Sequence, residues 1–232
     1  MTNNSASSWI MSKSLSKLDG ELSFLRVTGK WNKFLPVLLM VVFAVSLWPG
    51  ILPPNFNAAT AIAFCGAIYF RGSMAWWLPL GVLVGMDLVL NLFYYHVSLF
   101  TFETLVKPLG FVAVITLGKL FAARDSWFKL LGGGLLGAIL FYLITNTAAW
   151  FNDAGYAKTL AGWVQALTTG LPGYPPTWEF FRNTLMSGGL FTALFVASAK
   201  TVAAESPADK EAGARAPEGE AKPESEPEDA KA

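Results

Sequence analysis

Between Phe34 and Ala199 the chain runs as six apolar stretches, and most of its charge lies outside them. Backbone amides and carbonyls in such stretches must find partners within the chain itself, and helices supply those partners locally. The stretches are Phe34 to Trp48, Asn57 to Phe70, Met74 to Tyr95, Thr104 to Ala122, Trp127 to Trp150 and Phe180 to Ala199. Pro49-Gly50 and Pro53-Pro54 end the first, and Pro79 predicts a kink in the third. A membrane span needs about 20 apolar residues. The first two fall short, so they either tilt little or lie partly within protein.

Composition agrees. Charged residues are 14% of the chain, against about 25% in an ordinary soluble domain. Nine Trp and eighteen Phe fit a protein with two membrane interfaces. The net charge of +1 gives no global field for nucleic acid. The predicted fold is therefore an all-α integral membrane protein, a six-helix bundle over 34–199. It follows a polar cytoplasmic segment, 1–33, and precedes a cytoplasmic tail, 200–232. From Glu205 onward that tail holds nine acidic and four basic residues and no aromatic one, a composition that predicts disorder. No short charged-then-apolar leader with a small-residue cleavage site opens the chain.

Lys and Arg fix an orientation. With the N-terminus inside, fourteen of the seventeen fall on the inner side, leaving Lys107, Lys158 and Arg182 outside. N-in, C-in in a bacterial inner membrane follows from the charge bias and the even span count. Between the fifth and sixth spans, Tyr156, Leu160, Trp163, Val164 and Leu167 share one helical face, which predicts a short interfacial helix.

Asp87 stands in the middle of the third stretch, where a carboxylate costs roughly 2.5 to 3.5 kcal/mol at the centre of a span. Asn91 and Tyr94 or Tyr95 follow on its face. Tyr142, Asn146 and Trp150 form a second stripe, and Arg182 with Asn183 opens the sixth span. Asn55 and Asn57 lie at the mouth of the second. On the N-in topology all of these meet in one outer region. The predicted substrate site is Asp87, Asn91, Tyr95, Asn146, Trp150, Arg182, Asn183 and Asn57, with Arg182 as counter-charge to Asp87 or to an anionic ligand group. Amides, a carboxylate and flat aromatic walls are the usual make-up of a small-molecule pocket. The plainer alternative is that the amides hold helices together.

Ala59, Ala63 and Ala67 recur every four residues. Such a ladder permits close helix approach, either internally or as a docking face for an energising membrane module. Cys65, the single cysteine, reads as a small buried hydrophobe, and His96, the single histidine, as an interfacial residue. No metal ligand set or cofactor is expected. No Gly-x-Ser-x-Gly, His-Glu-x-x-His or Walker-type loop is present, so no enzyme is expected. Gly132-Gly133-Gly134 lies in an apolar stretch with no Lys-Ser or Lys-Thr after it, so it is no phosphate cradle.

The run Pro53-Pro54-Asn55-Phe56-Asn57-Ala58-Ala59-Thr60-Ala61-Ile62-Ala63-Phe64, with Ala67-Ile68-Tyr69-Phe70, Leu143-Ile144-Thr145-Asn146 and Phe181-Arg182-Asn183-Thr184-Leu185, resembles a bacterial membrane family described only as transport proteins of unassigned function. In size, span count and topology that family is similar to the substrate-binding S components of energy-coupling factor vitamin transporters. Solitary cobalamin transporters of the BtuM type belong to the same wider group. The resemblance covers 34–199 and implies capture of a small, vitamin-like molecule from outside. It also implies a cobalt-ligating cysteine, which only Cys65 is available to carry; the family more usually shows glycine there, so no cobalt ligand is expected. Two functions follow as expectations: a transporter or its substrate-binding subunit, and a non-transporting scaffold or assembly protein whose polar groups are packing glue.

Overall fold

Each apolar stretch is a helix in the computed structural model, which describes residues 34–99 and 101–204. In chain order the helices are α1 (Phe34–Leu47, its last turn 3₁₀), α2 (Ala59–Tyr69), α3 (Met74–Phe93), α4 (Phe102–Gly118), α5 (Trp127–Asn152), α6 (Leu160–Leu167) and α7 (Thr177–Ala204). No strand occurs among the described residues. The fold is all-helical, and two of its helices, α3 and α5, are long and apolar enough to cross a membrane. α1, α2 and α4 are shorter. Residues 30–200 form one unit. The expected N-terminal segment 1–33 and the tail from 205 lie outside the described residues. Residues 200–204, expected at the start of the cytoplasmic tail, continue α7.

Local sequence explains the boundaries. Thr101 caps α4 by accepting from the Thr104 amide at 3.2 Å. Ser126 and Thr159 cap α5 and α6 in the same way. Pro79 and Pro108 sit inside α3 and α4. Gly50 turns the chain after α1 with φ 83°, a conformation only glycine adopts freely. Ser46 Oγ then donates to Phe43 O and accepts from the Ala58 amide at 3.0 Å, fastening the end of α1 to the start of α2.

α2 is the hub. Every residue from Ala59 to Ala67 is buried, and α3, α4 and α5 all pack on it. The alanine ladder is therefore consumed inside the chain. Ala59, Ala63 and Ala67 are at most 7% exposed, which corrects the reading of that face as a dock for another subunit. Small residues make the crowding possible. A Cβ on Gly66 would lie 2.6 Å from Pro79 Cγ, and one on Gly118 would lie 2.7 Å from Ala67 Cβ. At 11 residues α2 is about 16 Å long, half of what a bilayer core requires. Of the two explanations for its shortness, burial within protein is the one the packing shows.

The outer helices have the opposite character. α1 turns Met40 and Phe43 inward, with Phe43 edge-on to Phe191 of α7 at 5.0 Å. Its other face exposes Phe34, Leu38, Val41, Val42 and Val45. Trp77, Phe93, Leu105, Leu109, Phe128 and Leu190 are likewise exposed on α3, α4, α5 and α7. Large apolar side chains thus stand exposed on five of the helices, and exposed apolar surface marks an interaction face when it is contiguous.

Candidate functional site

Alternation of the helices gathers the ends of α1, α3 and α5 and the starts of α2, α4 and α7 at one end of the bundle. A cavity of about 480 Å³ opens there, within the range of small-molecule sites. Each of these six helices contributes to its wall or mouth.

Its charged wall is made by two helices. Asp87 and Asn91 lie one turn apart on α3, and Asn91 Nδ2 donates to Asp87 Oδ2 at 3.3 Å. Asn91 is buried, so this amide fixes the carboxylate from behind. Lys107 of α4 donates from Nζ to Asp87 Oδ1 at 2.8 Å. The Asp87 side chain is 19% exposed and that of Lys107 39%, so the pair meets the cavity rather than being sealed in the core. Ion pairing is the usual condition for keeping a carboxylate in an apolar helix. The expected counter-charge was Arg182, and the structure corrects this to Lys107.

The remaining wall is aromatic and amide. Phe111 and Phe141 stack with centroids 4.9 Å apart and planes 13° apart. Asn146 lines the cavity while its Nδ2 donates to Tyr142 O at 3.0 Å, which leaves the amide oxygen toward other partners. Asn57 also lines it, and its Oδ1 accepts from the Ala59 amide at 3.0 Å. Tyr95 stands at the mouth, half exposed, against Tyr94 at 5.0 Å.

Of the eight expected site residues, Asp87, Asn57, Asn146 and Tyr95 line the cavity, and Asn91 supports Asp87. Three do not belong to it. Trp150 Nε1 donates to Ala157 O at 2.8 Å and so closes the loop after α5. Asn183 Nδ2 donates to Pro54 O at 2.9 Å, tying α7 to the α1–α2 connection. Arg182 is exposed, lying over the Trp178 ring at 5.3 Å and beside Asn183 Oδ1 at 3.4 Å. Each spends its polar group on the protein's own backbone or rim. His96 is exposed with φ 53°, at the bend after α3. Cys65 is fully buried in the core.

Sequence reasoning missed Lys107, Thr60, Thr145 and Ser187, all of which line the cavity. For Lys107 a signal existed: it stands one turn inside the start of an apolar stretch, at the depth reached by Asp87 from the other direction. The helix–loop unit beside the cavity is held by Tyr142, whose hydroxyl donates to Leu167 O at 2.7 Å. Trp163 Nε1 adds a bond to Thr147 Oγ1 at 3.0 Å. In the same loop, burial and the neighbouring Asp153 carboxylate push the Tyr156 phenol above its ordinary range.

Residues 29–209 match the model of a family of unknown function, DUF6580, and the chain belongs to that family. No curated protein matches it. No solved structure matches it.

Proposed function

For this member of a family without an assigned activity, we propose a multi-pass inner-membrane transport protein, or the substrate-binding subunit of one. It is not an enzyme on this reading. It captures a small, vitamin-like molecule in an outward-facing pocket. α1 to α5 and α7 are the six spans, N-in and C-in, and α6 lies at the outer interface. Support for the membrane comes from the apolar outer faces of the helices and from the lengths of α3 and α5. Support for the orientation comes from the sorting of charge. Arg71, Lys119, Arg124, Lys129 and Lys200 crowd the end away from the cavity, as the positive-inside tendency requires.

The observation that carries the functional reading is the Asp87–Lys107 pair in the cavity wall. Packing alone is served by apolar or amide contacts, and a charged pair of this kind is weak evidence for stability. Facing a 480 Å³ space, it offers a ligand one acceptor and one donor of fixed position.

Mild purification followed by native mass spectrometry tests this. A retained small molecule that disappears in Asp87→Ala and Lys107→Ala is the expected result. Undiminished occupancy in both variants, with the protein still folded, sinks the proposal. The second reading, a scaffold or assembly protein, draws on Asn183, Trp150 and Tyr142, whose polar groups bond the chain's own backbone. It predicts a retained partner chain and no small molecule.

A further inference from the structure

The Asp87–Lys107 pair has bonds left to make. Asp87 Oδ1 accepts from Lys107 Nζ at 2.8 Å, and Oδ2 accepts from Asn91 Nδ2 at 3.3 Å. A carboxylate has lone pairs for further donors, and an ammonium has protons for more than one acceptor. Both side chains line the cavity and are partly exposed. Asp153 is the third charged lining residue. It is exposed at the end of α5, where its Oδ1 accepts from the Gly155 amide at 2.8 Å and its carbonyl accepts from Lys158 Nζ. Opposite charges thus stand together at both places, and neither sign dominates. The apolar wall begins one turn away. Phe111 follows Lys107 by four residues on the same face of α4, which sets it about 6 Å deeper along the helix. Phe102 and Val106 line the cavity beside it.

Such a wall selects by charge. A net anion on Lys107 would face the Asp87 carboxylate, and a net cation on Asp87 would face the Lys107 ammonium. Like charges set side by side are strongly disfavoured. A neutral amide or alcohol needs no ions, since Asn57 and Asn146 already line the cavity, and ions in apolar helices are costly to keep. A ligand with one charge of each sign satisfies both partners and adds no net charge. The spacing agrees. With ordinary bond lengths, the ammonium nitrogen and nearer carboxylate oxygen of an α-amino acid lie about 3 Å apart, and the protein's own pair is 2.8 Å apart. We propose that the cavity takes a zwitterion with an amino-acid head on an aromatic or apolar body. Its ammonium docks on Asp87, its carboxylate on Lys107 and its body against Phe102 and Phe111. This inference rests on the reading of the cavity as a ligand pocket and specifies its ligand.

The test is equilibrium dialysis of the full chain in lipid nanodiscs with three radiolabelled probes that share one ring. These are L-phenylalanine (both charges), phenethylamine (the cation alone) and hydrocinnamate (the anion alone). Phenylalanine should bind about tenfold tighter than either of the others, each of which lacks one charged hydrogen bond. Asp87→Asn should remove its advantage over hydrocinnamate, and Lys107→Met its advantage over phenethylamine. Either single variant strands one charge. The double variant Asp87→Asn with Lys107→Met keeps the bulk of both side chains without charge, and it should bind the three probes within about threefold of one another. A single-charge probe that binds as tightly as phenylalanine, or a preference for phenylalanine that survives in the double variant, overturns the zwitterion. The pocket reading still stands if those variants change the binding of any probe. It also stands, and the zwitterion falls, if no probe binds while native mass spectrometry shows a retained molecule that Asp87→Ala loses. No bound probe and no retained molecule overturn both.

Discussion

Among the described residues, each end of the bundle carries one Asp–Lys pair, and the two pairs are used differently. At the cavity end, Asp87 and Lys107 come from different helices, 20 residues apart, and meet at 2.8 Å beside empty space. At the opposite end, Asp125 and Lys129 are one turn apart at 3.0 Å. There the carboxylate also accepts from the Ala122 amide at 2.9 Å, and Asp125 O accepts from Lys200 Nζ. The far pair is absorbed by the turn between α4 and α5, above an interior filled by Phe64, Phe121, Tyr69 and Phe195. The same two residue types thus close one end and furnish the other. Proximity of opposite charges does not define a site; what the pair faces does.

The largest effect expected from breaking this contrast is at Lys107. Lys107→Ala strands the Asp87 carboxylate in the cavity wall and should lower stability by about 1–3 kcal/mol, the buried-pair cost reduced for partial exposure. Denaturant or thermal unfolding in detergent measures it. The double variant Asp87→Asn with Lys107→Met should recover much of the loss, and a cycle showing no coupling refutes the pairing. Next in size is Tyr142→Phe. It removes the hydroxyl bond to Leu167 O and leaves that carbonyl unsatisfied, costing about 1–2 kcal/mol. Faster amide exchange across 160–167 is the local readout. Asn183→Ala, which frees Pro54 O, should cost about 0.5–1.5 kcal/mol without altering ligand occupancy, whereas Asp87→Ala abolishes occupancy.

Smallest of all is the far pair. Hydrogen bonds from Ala122 and Lys129 hold the Asp125 carboxyl below its ordinary range. A carboxyl depressed in the folded state adds stability that is present above its unfolded pKa and lost as pH falls through the folded value. Acid melts of Asp125→Asn and of the wild type should therefore converge as pH drops below the ordinary carboxylate range. Lys129→Ala should move the neutral-pH melt less than Lys107→Ala does. Topology sharpens the same comparison. In a Cys65→Ala background, Lys158→Cys should react with an impermeant maleimide on intact spheroplasts, and Lys129→Cys only after permeabilisation. The reverse pattern inverts the proposed orientation.

Helices were easy to read in this chain because their boundaries are chemical: Pro49-Gly50, Gly72, Ser126 and Thr159 stop or cap them. The Asp87–Asn91 bond was legible too, since four residues on a helix is a local relation. What escaped was the third dimension. Arg182 and Lys107 both stand at the cavity end, and nothing in a linear sequence says which helix flanks α3. The α3–α4 neighbourhood decides it. Trp150 and Asn183 were misread for a related reason. An indole or amide at the right depth serves a ligand or a backbone carbonyl equally well, and Ala157 O and Pro54 O claimed these two first. The alanine ladder left both of its readings open, internal packing and a dock. Small residues permit close approach, but their pattern does not tell whether the approaching helix belongs to the same chain.

α2 has a further consequence, for synthesis. A helix of 11 residues, buried from Ala59 to Ala67, has no surface of its own with which to settle among lipid tails. If the bundle is embedded as proposed, α2 cannot rest in its final place when it leaves the ribosome. Its seat is built from α3, α4 and α5, with Phe195 of α7 against Tyr69 at 5.2 Å, and all of these are translated later. The chain must hold Asn57 to Phe70 in a provisional position, sheltered by α1 and α3, until the last span arrives. A truncation ending before Thr177 should therefore leave this segment open to protease, although every residue of it has been made.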